Sequence, residues 1–345
     1  MKIDLLNVVE NMKKYLDIES PVGYTKNAIL AVKNDFEKLG LSTSFTKKGA
    51  LIATLIGKNT KEELTICTHI DTLGAMVKEI LPDGKIKFKK LGGGIYNSIE
   101  GANCNVITRK GKKIRGSIMP IKSSTHIYGK SISLVERNED TMFIRLDERI
   151  CSKNDVLELG INVGDIISID TGFEVTESGF IKSRYIDNKC AVSMAVEICR
   201  YLKENKLTPK HTLNFIISNY EEIGHGISFI PEKTTELIAI DIAPVGEGQN
   251  SSEYSTTIAA KDKHTVYDYD FTNDLITIAE DFGIDYVIDV FNSYSSDASQ
   301  AISRGLDMKV ALVGPGVHGT HHYERTHISS IENTLKLLIN YILKE

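Results

Sequence analysis

Apolar residues fall at intervals of three and four along the first stretch of the chain, at Leu5, Val8, Val9, Met12 and Leu16, which predicts an amphipathic helix over "LLNVVENMKKYL". A second helical segment, "NAILAVKNDFEKLG", closes on Gly40, a glycine placed where a helix C-cap is expected. Two short apolar runs follow, "LIATLIG" and "LTICT", and read as strands. From about residue 178 the alternation returns: a helix at "CAVSMAVEICRYLKENK", strands at "TLNFIIS" and "ELIAID", a helix at "NDLITIAEDFG", a strand at "MKVALVG" and a closing helix at "IENTLKLLINYILKE". This rhythm predicts an α/β sheet with helices on its faces.

Between these segments the pattern changes. Six β-rich runs, "AMVKEI", "KIKFKKLG", "NVITRK", "IRGSIMP", "TMFIRLD" and "DIISID", are separated by turn chemistry such as "PDG" and "RKGKK", with hardly a helical period among them. "KIKFKK" alternates apolar and basic residues as a half-solvated strand does. The expected organisation is therefore an α/β domain over 1–72 and 178–345, interrupted by a small β-barrel over 73–177.

Composition narrows the classes. A chain of 345 residues with 41% hydrophobic and 25% charged residues can bury a sizeable core. Its formal net charge of −5 leaves no basic footprint for nucleic acid, and basic runs such as "TRKGKK" suit a solvated hairpin turn. No apolar stretch approaches the roughly 18 residues of a membrane span, and the N-terminal segment does not read as a signal peptide. Five cysteines without a CxxC pair suit reduced thiols, so the expected compartment is the cytoplasm.

Chemistry gathers at the ends of the predicted strands. "LTICTHID" places His69 and Asp71 two apart, on one face of an extended backbone. "TLNFIISNYEE" delivers Glu221 and Glu222, "ELIAID" ends at Asp241, and "RYIDNKCAV" sets Asp187 at the start of a helix. Taken singly, Asp187 is a helix N-cap, the paired glutamates a solvated turn and Asp241 a strand terminus. In an open α/β sheet, however, ligands bind outside the carboxyl ends of the strands, and these residues converge there. Five carboxylates in one partly buried pocket would have to protonate or splay apart. Cations are the simplest remedy, and His69 among them points to a transition metal. The late segment "GVHGTHHYERTHISS" adds His318, His321, His322 and His327 near the same edge.

The ordered set, H-x-D, then D before a helix, then E-E-I-G, then D ending a strand, then a late histidine, resembles the dinuclear metal aminopeptidases of the glutamyl/leucyl family. These are the tetrahedral aminopeptidases, some of which carry an endoglucanase label. "SPVGYTKNAI", "THIDTLGAMVKEI", "LGGG", "LGINVGD", "RYIDNKCAV", "NYEEIGHG", "AIDIAP" and "SSDASQAI" continue the likeness in order over most of the chain. The resemblance implies a phosphopeptidase-like three-layer α/β/α catalytic domain with an inserted β-barrel that helps build dimers and often a hollow dodecamer. It implies two divalent ions per chain, zinc first, with cobalt or manganese as alternatives. His69 and Asp241 would hold one ion, Glu222 and a late histidine the other, and Asp187 both. Glu221 would be the general base, and Asp71 would orient His69. Two departures stand out. Thr320, not histidine, precedes Glu324 by four, so the last ligand is expected at His321, with His322 as runner-up. Asn188 also follows Asp187 where many relatives have a second aspartate.

These assignments lead to metal-dependent removal of N-terminal residues from short peptides, with a metal-assisted water as nucleophile. The alternatives are amide hydrolysis or deacylation of a small peptide-like metabolite at the same centre, a metal-free endoglucanase using Glu221 with another acid, and a non-catalytic assembly module. Because neighbours on an ideal strand point opposite ways, Glu221 and Glu222 can share one site only if the backbone turns at 220–222. Asp297, Asp262 and Lys263 are candidate pocket residues, and His126 is a candidate to reach a neighbouring subunit.

Overall fold

A computed structural model describes residues 1–344. The chain divides into two compact units, Met1–Asp71 with Gly172–Glu345, and Thr72–Thr171. The division falls a few residues before the sequence-based estimate of 177. The reason is local: strand Glu174–Val175 pairs with Phe180–Ser183 of the larger unit.

In the larger unit a 12-stranded sheet is built around four adjacent parallel strands, in the order His211–Ser218, Asn59–His69, Thr234–Ile240, Lys309–His318. Alternation along each strand sends side chains to two different cores. Ile66, Phe215, Ile217, Ile238, Ile240, Ala311 and Val313 pack into one. Cys67, Ile216, Leu237, Ala239, Val310 and Leu312 pack into the other. Burial on both faces explains why these strands read as unbroken apolar runs. The first core takes helices Leu5–Leu16, Lys26–Lys38, Ile186–Glu204, Tyr269–Asp281 and Ile328–Leu343, and the second takes Asp297–Ser303. Helix Leu5–Leu16 buries Val8, Met12, Tyr15 and Leu16, and its N-cap Asp4 accepts from the Asn7 backbone N–H. Gly40, at φ 79°, takes the left-handed conformation that ends helix Lys26–Lys38.

The smaller unit is a closed six-stranded antiparallel barrel, in the order Gly74–Ile80, Ile86–Leu91, Met142–Leu146, Lys113–Pro120, Asn103–Ile107, Ile166–Ile169. Its interior is filled by Val77, Phe88, Val106, Ile118, Ile144 and Ile167 among others. Among the described residues no helix is long and apolar enough to cross a membrane.

Candidate metal centre

The four parallel strands end side by side, and the residues that follow them build one site. Asn59–His69 ends on His69 with Asp71 just beyond. His211–Ser218 is followed by a 3-10 turn at Glu221–Ile223, the bend that the paired glutamates require. Thr234–Ile240 delivers Asp241, and Lys309–His318 leads into the loop carrying His321. Asp187 comes from the start of helix Ile186–Glu204, where Asp187 and Asn188 depart from helical geometry and are joined by a cis peptide.

Asp187 lies at the centre and divides its oxygens. Its Oδ1 is 3.0 Å from His69 Nε2, and its Oδ2 is 3.5 Å from His321 Nε2. On one side His69 Nε2 also stands 3.9 Å from Asp241 Oδ1, and on the other His321 Nε2 stands 3.4 Å from Glu222 Oε2. Two groups of ligand atoms result, His69–Asp187–Asp241 and Asp187–Glu222–His321, each with its atoms within 4.8 Å of one another. His322 is exposed and belongs to neither group. Glu221 is also outside both: its Oε2 is 3.9 Å from His69 Nε2, while its Oε1 accepts from Gln300 Nε2 at 3.0 Å.

Asp71 meets His69 chiefly through its main chain. His69 Nδ1 bonds the Asp71 backbone carbonyl at 3.0 Å, and the carboxylate is 3.7 Å away. The carboxylate oxygens accept instead from the backbone N–H groups of Glu221 and Glu222, each at 3.2 Å. One residue thus orients the imidazole through its main chain and fixes the glutamate pair through its side chain.

The charges are in conflict without a counter-ion. Burial raises the proton affinity of Glu221, Glu222 and Asp241 well above the usual carboxylate range, with further push from neighbouring acids. Asp187 moves the other way: burial resists its charge, but hydrogen bonds from His321 and His69 hold it well below that range. His321 is pushed up to about 10, because Asp187 and Glu222 outweigh the burial that opposes its charge. His69 is likewise raised, against burial, by Asp187, Asp241 and Glu221. Carboxylates and imidazoles shifted in these directions call for added positive charge, which divalent cations would supply. Among the described residues, Glu222 Oε1 and the neighbouring Asn188 Oδ1 are buried without a hydrogen-bond partner. A donor set of imidazoles and carboxylates with an orphaned carboxylate oxygen fits transition-metal ions.

Further residues support the site, and the role of one of them, Glu324, has no signal in the sequence. Glu324, 1% exposed, accepts from the backbone N–H groups of both Asp187 and His321 at 3.0 Å each, and so ties the two histidine sides together. His321 itself sits at φ 63°, a left-handed conformation that non-glycine residues adopt at a cost. Asp297 accepts from Ser218 Oγ at 2.5 Å and from the Ile227 backbone N–H at 2.8 Å, bracketing the Glu221–Ile223 turn. Asp262 is buried and accepts from the Tyr267 hydroxyl and the backbone of His264 and Thr265, a structural role. His327 accepts from the Ser329 N–H as a helix cap.

The M42 glutamyl aminopeptidase profile matches residues 49–337. YhfE of Bacillus subtilis (strain 168), named as an aminopeptidase, is 42% identical over 335 residues, covering 97% of this chain and 96% of its own. The fold is shared with a TET aminopeptidase from a marine-sediment Thaumarchaeota archaeon (TM-score 0.88, 18% identity, 98% and 96% of the two chains). It is also shared with the Pyrococcus horikoshii TET1 peptidase (TM-score 0.83, 22% identity, 98% and 100%). The chain belongs to the M42 glutamyl aminopeptidase family and is a hydrolase acting as an aminopeptidase.

Proposed function

We propose that the chain releases the N-terminal residue of short peptides at a dinuclear divalent-metal centre, with zinc as the first choice of ion and cobalt or manganese as substitutes. The observation that carries this reading is Asp187, which turns one oxygen to each of two ligand groups. His69 and Asp241 would complete one metal position, and Glu222 and His321 the other. When bound, such a pair of ions polarises the scissile carbonyl and lowers the pKa of a water to about 7.

The chain's own residues do the rest. Glu221, outside both ligand groups, takes the proton of the attacking water on its free Oε2 and passes it to the departing amine, while Gln300 holds its Oε1. Asp71 keeps Glu221 and Glu222 in register through their backbone N–H groups. Glu324 holds Asp187 and His321 at a fixed spacing.

The Pyrococcus horikoshii TET1 peptidase is described as assembling into a tetrahedron or a large octahedral shell. By that likeness we read this chain as a homo-oligomer built from dimers, with a dodecamer as the expected size, checked by light scattering on the eluted protein. Five free cysteines, four of them buried, support a reducing, cytoplasmic setting. The test of the reaction compares a peptide carrying a free N-terminus with its N-acetylated form, before and after chelation. Chelator-sensitive release of one residue from the free peptide alone is the expected result. Equal cleavage of the acetylated peptide would move the assignment to amide deacylation.

A further inference from the structure

One cavity of the larger unit has no part in the metal centre. It measures about 580 Å³ and is lined by Tyr24, Ile29, Leu30, Phe45, Lys48 and Tyr220 among others. Asn219 and Tyr220, the two residues between the end of strand His211–Ser218 and Glu221, both form part of its wall. The cavity therefore opens beyond the carboxyl end of the same strand that delivers the general base, where sheets of this kind bind ligands. The Asn219–Tyr220 side of the cavity thus adjoins the residue that follows it, Glu221.

Two features of the lining point to a ligand. Leu30 and Phe45 are 43% and 48% exposed, yet they converge with Tyr24, Ile29 and Tyr220 on one concavity. Apolar side chains gathered in this way mark a surface that something covers. The second feature is Lys48. Its Nζ meets the His225 carbonyl, His225 Nδ1 at 3.1 Å and the face of Tyr220 at 5.1 Å, none of them a carboxylate. Burial, with the nearby Arg304 adding to it, lowers the proton affinity of this amine, and Asp297 and Asp71 act against that only from a distance. An ammonium partly withdrawn from water, with no carboxylate among these partners and beside an apolar cavity, suits a carboxylate on the ligand.

We propose that this cavity is the subsite for the part of the peptide downstream of the scissile bond: an apolar side chain fills the Tyr24–Leu30–Phe45–Tyr220 concavity and a carboxylate pairs with Lys48. The inference rests on the aminopeptidase reading and narrows its substrate class to short peptides whose downstream residue is apolar and whose C-terminus is free. An Asp or Glu side chain would present the same carboxylate chemistry, so the experiment separates the two sources.

Five substrates sharing one N-terminal residue are compared by steady-state kinetics: a chromogenic anilide with nothing downstream, a tripeptide ending in leucine, its glycine-ended counterpart, the leucine peptide's C-terminal amide, and an amide with glutamate before the last residue. Rates are normalised to the anilide, which reports the metal centre alone, so a failure of the subsite is distinguishable from a failure of the catalytic reading. In the wild type the free acid should exceed its amide by about tenfold in kcat/KM, chiefly through KM. Lys48→Met should bring that ratio to about one, and Phe45→Ala should raise KM for the leucine peptide more than for its glycine-ended counterpart. A glutamate-bearing amide cleaved as well as the free acid would assign the carboxylate to a side chain while keeping Lys48 as its partner. A wild-type ratio near one, or a ratio unchanged by Lys48→Met, overturns the proposal.

Discussion

Glu221 and Glu222 are neighbours in sequence with separate surroundings. Glu222 faces His321 and carries an orphaned oxygen, whereas Glu221 is tethered by Gln300 and stands apart from both ligand groups. Glu221→Gln should therefore lower kcat by about 10²–10⁴-fold while the metal content stays unchanged, as elemental analysis beside steady-state assays would show. A proportional loss of metal would make Glu221 a ligand instead. Glu324 acts through the main chain of Asp187 and His321. Glu324→Ala leaves two backbone N–H groups without their acceptor, at about 1–3 kcal/mol each, and should lower the midpoint of denaturant unfolding and weaken metal retention together. The cluster itself was legible at this scale because imidazoles and carboxylates gathered at the ends of apolar strands carry a desolvation cost that a cation would offset. The role of Glu324 was hidden, since a side chain that accepts from backbone N–H groups leaves no mark in sequence spacing. The two tasks of Asp71 were half visible: its proximity to His69 follows from H-x-D, but its grip on the glutamate pair depends on how two strands lie in space.

Four parallel strands ending side by side are what turn scattered residues into one site. Their apolar runs were readable because both faces are buried, and the barrel strands were readable because they alternate and are broken by turns. Strand order and register were not, since they are fixed by packing among distant segments. Gly314 marks one such contact: a Cβ there would lie 1.5 Å from the Asp241 carbonyl oxygen and 2.7 Å from its carbon. Gly314→Ala must push strand Lys309–His318 away from the end of Thr234–Ile240. The expected outcome is a protein destabilised by about 3 kcal/mol or more, with metal retention impaired, read from thermal melts and elemental analysis. Full stability and full metal content would show that the strand ends yield more freely than this spacing implies.

Over the whole molecule, the buried cluster couples protons, metal and stability. Burial and the charge of Asp187 push Glu324 from 4.5 up to about 8, and His321 is raised from 6.5 to about 10. A group whose folded pKa is raised keeps its proton after the unfolded chain has released it. Its stabilising contribution is complete below the unfolded value and is lost as pH rises through the folded one, so for Glu324 the window is 4.5 to about 8 and for His321 6.5 to about 10. Glu222 and Asp241 are raised too and carry the same sign. Asp187, lowered, carries the opposite sign, but its contribution is lost only as pH falls below its ordinary value of 3.8. The chelated protein should therefore lose thermal stability between pH 4.5 and about pH 10, whereas ion binding displaces these protons and strengthens as pH rises. Melting temperatures of chelated and ion-loaded protein should diverge with pH; parallel curves would mean that the cluster does not bind the ions.

The dinuclear centre stands or falls with the bridging position of Asp187, which is measured by metal stoichiometry on purified protein after chelation and add-back. Wild type and Glu221→Gln should each hold about two divalent ions per chain, and Asp187→Ala should hold fewer than one, with the fold intact by circular dichroism. A wild-type protein that takes up no divalent ion, or an Asp187→Ala variant that still holds two, would contradict the dinuclear centre.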